Sequence, residues 1–390
     1  MIAVDEHISR CEHLACSNCG RLYPVEQINT FATCENCVKA PLVAVYSTEG
    51  LRKTCIDQNE RSMWRYMPML PVFDRRNIVS LGEGFTPILN LKNTADKLGL
   101  LTLMMKDESF NPTGSFKARG MSMAISKAKE FGIRKCIVPT AGNAGGAMAA
   151  YCAKAGIKAV VVMPSHTPHA FRHECEMFGA EVVLVDGLIS DCAKKVREMN
   201  ADGEYFDMST MKEPYRLEGK KTMGYEIAEQ LNWSLPDVIF YPTGGGTGLI
   251  GMWKAFDEMI EMGWIPERRP RMIAVQAENC QPIVETWNGS QPDASAYKGR
   301  PTLANGLAVP NPFAEKMILT ALKESGGRPI AVSEQEIVKS QKEVGKNEGC
   351  FIAPEGAALF VALKQMVVSG EVRANEKILL LNTGSGYKYI

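Results

Sequence analysis

The chain has 390 residues, 45% hydrophobic against 23% charged, which describes an ordinary globular protein of about two or three structural units. Its 44 basic residues balance 44 acidic ones, so no global field favours nucleic acid or an anionic membrane as a partner. No apolar run reaches membrane-spanning length, and the opening MIAVDEHISRCEH lacks a basic-then-apolar leader, so a cytoplasmic protein is expected.

The first forty residues are rich in cysteine and turn signals. Cys16-Ser-Asn-Cys19 and Cys34-Glu-Asn-Cys37 place two thiolates on each of two tight turns, close to the ribbon spacing for tetrahedral zinc. A hairpin over 21–33 would bring the turns together, and residues 1–45 are read as a zinc-ribbon-like segment holding a structural zinc. Vestigial or redox-active cysteine pairs are the alternative. The other cysteines of the twelve are mostly scattered through apolar or helical patterns, as small core residues are.

Residues 44–80 show no strand alternation and read as a helical connector. From Leu81-Gly-Glu-Gly-Phe-Thr-Pro87 onwards, strand and helix patterns alternate. Strands are expected at 101–106, 135–139, 158–163, 181–185, 237–241, 272–276 and 377–381. Helices are expected at 118–130, 144–155, 168–178, 188–199 and 249–262. Such alternation implies parallel sheets in an α/β architecture. The βα repeats of 122–224 mark a smaller α/β domain inserted into a larger one. Residues 46–121 supply the connector and the first part of that larger domain, and residues 225–390 supply the rest.

Four segments carry chemistry. In Asn111-Pro-Thr-Gly-Ser-Phe-Lys117-Ala-Arg-Gly120, a turn delivers Lys117 to the mouth of a helix, where the macrodipole disfavours an ammonium. A lysine poised to lose its proton suits Schiff-base chemistry. Pro242-Thr-Gly-Gly-Gly-Thr-Gly248 follows a strand and opens a helix, so its amides can approach an anion, although it matches neither a Walker loop nor a dinucleotide fingerprint. A tight structural turn is the rival there. Thr140-Ala-Gly-Asn-Ala-Gly-Gly146 is a second small-residue turn, able to hold a carboxylate, with Asn143 offering an amide to a ring oxygen; an ordinary capped helix is the rival. Leu379-Leu-Leu-Asn-Thr-Gly-Ser-Gly386 is a third, with Thr383 and Ser385 as hydroxyl donors. Glycine-rich turns at the carboxyl ends of parallel strands are where open α/β sheets bind ligands. One phosphate cradle, one carboxylate cradle and one Schiff-base lysine together describe a pyridoxal phosphate site.

These motifs, with Glu213-Pro-Tyr-Arg-Leu-Glu-Gly-Lys-Lys-Thr222 and the N-terminal ribbon, run through essentially the whole chain in an order that resembles the threonine synthases. That family lies within the fold type II pyridoxal-phosphate enzymes, which share a tryptophan synthase β-like fold of two open parallel-sheet domains. The resemblance implies that Lys117 carries the cofactor as a Schiff base and that Asn143 bonds its ring oxygen. It also implies that Gly244, Gly245, Gly246 and Thr247 cradle its phosphate and that Thr383 faces its pyridine nitrogen. Thr140, Ala141 and Gly142 are then expected at the substrate carboxylate and Arg216 at a substrate phosphate, in a cytoplasmic homodimer acting on a small amino acid. The reaction implied is that of O-phospho-L-homoserine and water giving L-threonine and phosphate. Ala118 replaces an Asp that threonine synthases commonly carry, Ala141 stands where a hydroxyl residue often does, and Thr210 and Met211 stand where some relatives carry Asn and Ser. A threonine or serine ammonia-lyase and a β-replacement enzyme therefore stay open as alternatives. The nearby Glu213 and Glu218 also leave Arg216 a purely ion-pairing role.

Overall fold

The computed structural model describes residues 9–26, 33–37 and 40–390. By its internal packing the chain divides into two compact units. The first takes residues up to 85 together with 111–113 and 117–222; the second takes 86–110, 114–116 and 223–390. Residues 46–85 thus group with the first unit rather than with the larger domain to which the sequence reading gave them.

The first unit holds two sheets among the described residues. In the smaller one, the Cys11–Cys16 strand lies between Leu22–Tyr23 and Leu42–Tyr46, antiparallel to both. The larger is parallel, ordered Glu181–Val185, Lys158–Pro164, Lys135–Pro139 and Phe206–Asp207. The run Ala159 to Pro164 is buried throughout, as a parallel strand covered on both faces requires. The helices Lys117–Glu130 and Asn143–Ala155 pack along each other, and Met121, Ala124, Ala147 and Tyr151 are wholly buried in the core cluster they share. Residues 44–80 are not a helical connector. They hold the end of the Leu42–Tyr46 strand and the short 3-10 turns Lys53–Cys55, Met63–Met69 and Arg75–Asn77. Pro68 within the second turn removes an amide donor and prevents a long α-helix. The hairpin expected over 21–33 lies partly outside the described residues.

The second unit is built on a six-stranded sheet ordered Arg328–Val332, Arg271–Ala277, Val238–Pro242, Lys377–Asn382, Thr102–Asp107 and Ile88–Asn90. All neighbours are parallel except the last pair. Helix Pro354–Val368 is apolar around most of its surface and packs on this sheet, with every residue from Pro354 to Leu363 buried. Lys106 is fully buried within the Thr102–Asp107 strand. It pairs with Glu226 at 2.9 Å and donates to the Thr86 carbonyl at 2.8 Å, which meets the condition for holding a charge in a core. No helix among the described residues is long and apolar enough to cross a membrane.

Candidate active site

In the second unit, register sets the site. Phe240 lies beside Leu380 in the parallel pair Val238–Pro242 and Lys377–Asn382, so the glycine turn and Thr383 leave the sheet from neighbouring carboxyl ends. The turn runs straight into the helix Thr247–Glu261. Gly246 takes φ +72°, and a Cβ there would stand 2.4 Å from Ile318; one on Gly244 would stand 2.3 Å from the Gly306 carbonyl oxygen. The loop therefore closes only with glycine at both positions. Among the described residues, the amides of Gly244, Gly245 and Gly246 donate to no protein acceptor. Three open N–H groups at a helix N-terminus match the chemistry of a phosphate group.

The loop before Lys117 is fastened beside the same strand ends. The Phe116 N–H donates to the Thr383 carbonyl at 3.0 Å, the Ser385 N–H to the Gly114 carbonyl at 2.9 Å, and Ser115 bridges Gly384. The Phe116 ring meets Tyr241 edge-on, with centroids 6.3 Å apart. Lys117 is the next residue in the chain and the first of the helix Lys117–Glu130, in the first unit, where it is half-buried. A lysine amine held at the start of a rigid helix fits a covalently attached aldehyde cofactor.

Also in the first unit, the strand Lys135–Pro139 runs into Thr140, Ala141 and Gly142, and Asn143 opens the next helix. The Gly142 amide donates to Thr140 Oγ1 at 3.2 Å, which fixes the turn. A Cβ on Gly142 would meet nothing within 4 Å, so the turn faces open space, with Ala141, Gly142 and Asn143 half-buried around it. A first helical turn that borders open space suits a carboxylate.

Arg216 lies in the first turn of the helix Tyr215–Gln230 and is only 1% exposed. Its Nη1 donates to the Met208 carbonyl and lies 3.4 Å from Thr210 Oγ1, while its Nε is 4.0 Å from Glu213. Its Nε and Nη2 are buried without a hydrogen-bond partner. Glu213 caps the helix by accepting from the Tyr215 and Arg216 amides at 2.8 and 2.9 Å. Burial pushes the Glu213 carboxyl up to about 7 against the pull of Arg216 and those two amides. Met211 is buried at φ +62°, a left-handed conformation uncommon outside glycine.

The structure brings the four sequence-predicted cysteines together. The sulfurs of Cys16, Cys19, Cys34 and Cys37 all lie within 4.8 Å of one another, and such a cluster can hold a metal ion. The amides of Asn18 and Cys19 donate to Cys16 Sγ at 3.3 and 3.4 Å. Sequence reasoning missed two outer partners. The Tyr23 hydroxyl donates to Cys34 Sγ at 3.2 Å, and Asn18 Nδ2 donates to Cys37 Sγ at 3.3 Å. Tyr23 is the main cause holding the Cys34 thiol down at about 6. The signal was present, since Asn18 lies inside the first CxxC and Tyr23 lies between the pairs.

A threonine synthase of Methanocaldococcus jannaschii is 34% identical over 378 residues, 96% of this chain and 92% of its own. One of Methanosarcina acetivorans is 33% identical over 378 residues, covering 95% and 91%. Maize serine racemase shares the fold with a TM-score of 0.64 at 20% identity, over 77% of this chain and 88% of its own. The pattern of the pyridoxal-phosphate dependent enzymes matches residues 79–384, from just before the Leu81 motif to the turn after the final strand. With more than three-quarters of its length inside that pattern, the chain belongs to the pyridoxal-phosphate dependent enzyme family.

Proposed function

We propose that the protein converts O-phospho-L-homoserine and water to L-threonine and phosphate, the threonine synthase reaction. The observation that carries this reading furthest is its 34% identity, across 96% of the chain, with a protein that bears that name. Lys117 would hold pyridoxal phosphate through its amine, and Gly244, Gly245, Gly246 and Thr247 would hold its phosphate. Asn143 would meet its ring oxygen and Thr383 its pyridine nitrogen. When bound, the cofactor draws electrons from the substrate α-carbon and so acidifies the protons around it. A neutral Thr383 hydroxyl does not keep a proton on the ring nitrogen, which suits elimination and replacement over transamination.

The chain's own residues then divide the work. The turn of Thr140, Ala141 and Gly142 binds the substrate carboxylate, and the Arg216 guanidinium binds its phosphate through charge-assisted bonds. Lys117 Nζ, released when substrate binds, takes a proton from Cα and then one from Cβ. Phosphate leaves from Cγ, water adds at Cβ, and the two protons return to Cγ and Cα. We further infer a structural zinc on Cys16, Cys19, Cys34 and Cys37. Four protein ligands fill its tetrahedron and leave no position for chemistry. A cytoplasmic homodimer completes the reading.

Ala118 and Ala141 favour a second reading, deamination of threonine or serine by an ammonia-lyase. Purified enzyme given O-phosphohomoserine, threonine and serine, with phosphate and keto acid followed, separates the two. Phosphate from O-phosphohomoserine is expected; keto acid from threonine or serine with no phosphate release overturns the proposal.

A further inference from the structure

The Leu81-Gly-Glu-Gly-Phe-Thr-Pro segment contains a carboxylate to which the reaction as derived gives no part. Glu83 is wholly buried in the first unit. Its Oε1 lies 2.9 Å from Trp64 Nε1 and 2.5 Å from Ser122 Oγ. Its Oε2 accepts from the Tyr151 hydroxyl at 2.6 Å and from the Leu81 amide at 2.9 Å. Burial, and Glu83 beside it, raise the Tyr151 hydroxyl far above its ordinary range, so Tyr151 stays a donor. The same segment is held at its edges: the Met63 amide donates to the Glu83 carbonyl at 2.8 Å and the Gly84 amide to Asn111 Oδ1 at 3.0 Å. Asn111 opens the loop that leads to Lys117.

Two of the four donors come from the helices that begin with cofactor-facing residues. Ser122 stands on Lys117–Glu130 and Tyr151 on Asn143–Ala155. At about 1.5 Å rise per residue, Ser122 is roughly 8 Å along the helix from Lys117, and Tyr151 roughly 12 Å from Asn143. A carboxylate clamped to both helices this close to their first residues sets how the two helix mouths lie relative to each other. We propose that Glu83 is a positioning residue for the reaction: by tying Ser122 to Tyr151 it fixes Lys117 against Asn143, and hence the cofactor's imine end against its ring oxygen. The inference rests on the roles proposed above for those two residues.

The test compares wild-type holoenzyme with Tyr151→Phe, Glu83→Gln and the double variant. The readouts are kcat and KM with O-phosphohomoserine, the pH at which the cofactor's visible absorption band titrates, and the melting temperature. Both single variants should lower kcat about tenfold or more, because misplacement of reacting groups is costly, while KM stays within about threefold. The band's titration should shift in both, and the double variant should be little worse than Glu83→Gln alone, since the two side chains act as one unit. Variants that melt earlier yet keep wild-type kcat and band titration overturn the inference, because Glu83 is then structural only. If Glu83→Gln does not fold, Tyr151→Phe decides alone, its hydroxyl being the smallest piece of the clamp that can be removed. Wild-type protein that takes up no pyridoxal phosphate overturns the functional reading and this inference with it. Loaded wild-type enzyme with indifferent variants overturns this inference only.

Discussion

Lys117 and Arg216 have opposite surroundings, and each surrounding sets a separate test. Lys117 is half-buried at the start of its helix, directly after Phe116, whose amide is bonded to Thr383. Borohydride reduction of the loaded enzyme followed by peptide mass spectrometry should place the pyridoxyl group on Lys117, and Lys117→Ala should carry none. Arg216 is wholly buried, with two guanidinium nitrogens lacking a hydrogen-bond partner, beside a Glu213 carboxyl raised to about 7. A lost charge-assisted contact of about 1.5–3 kcal/mol corresponds to roughly ten- to a hundred-and-fifty-fold in kcat/KM. Arg216→Leu should therefore raise KM for O-phosphohomoserine sharply while leaving the cofactor's absorption band unchanged. Glu213 also sets a pH dependence. Its folded value lies above the 4.5 of the unfolded chain, so the folded state holds the proton longer and stability falls as pH rises through that window towards about 7. Unfolding by urea across the window should show this decline, and Glu213→Gln should flatten it.

Among the elements, the small antiparallel sheet reaches the Arg216 helix through one buried cluster. The Tyr46 hydroxyl donates to Glu218 at 2.8 Å, and Lys221 pairs with Glu218 at 2.7 Å while lying 3.7 Å from the centre of the Tyr46 ring. Tyr46→Phe removes one donor from a buried carboxylate that keeps its lysine. A loss of about 1–3 kcal/mol in unfolding free energy is expected, with the fold retained. Cys34→Ser should abolish retention of about one zinc per chain, measured by metal analysis of protein purified without added metal. The glycine-rich turns of the candidate site were the most legible part of the sequence, because glycine-rich junctions between apolar strands and helices leave a strong local signal. The four cysteines were legible for the same reason, since their spacing is itself local. The connector was not. Its Trp64, Tyr66 and Met67 are buried without any regular period, and Pro68 splits what would otherwise read as a helix. The Arg328–Val332 strand was missed too, because Pro329 and a short run hide a parallel edge strand that only long-range pairing with Arg271–Ala277 defines. Glu83 shows the same limit: nothing local to Leu81-Gly-Glu-Gly announces that Trp64, Ser122 and Tyr151 converge on it.

For the whole molecule, a matching family pattern over 79–384 and likeness to threonine synthases across nearly all of the chain describe one enzyme built to a shared plan. Arg216, Thr210 and Met211 stand on one short stretch, and the proposed reaction puts the substrate phosphate there. The most direct measurement gives the loaded enzyme O-phosphohomoserine in water enriched in heavy oxygen and follows all products by mass spectrometry and phosphate assay. The expected result is threonine in equal amount to phosphate, with the solvent oxygen on its β-carbon. Phosphate release that yields 2-oxobutanoate and ammonia instead of threonine, or no phosphate release while threonine or serine is deaminated, would contradict the account.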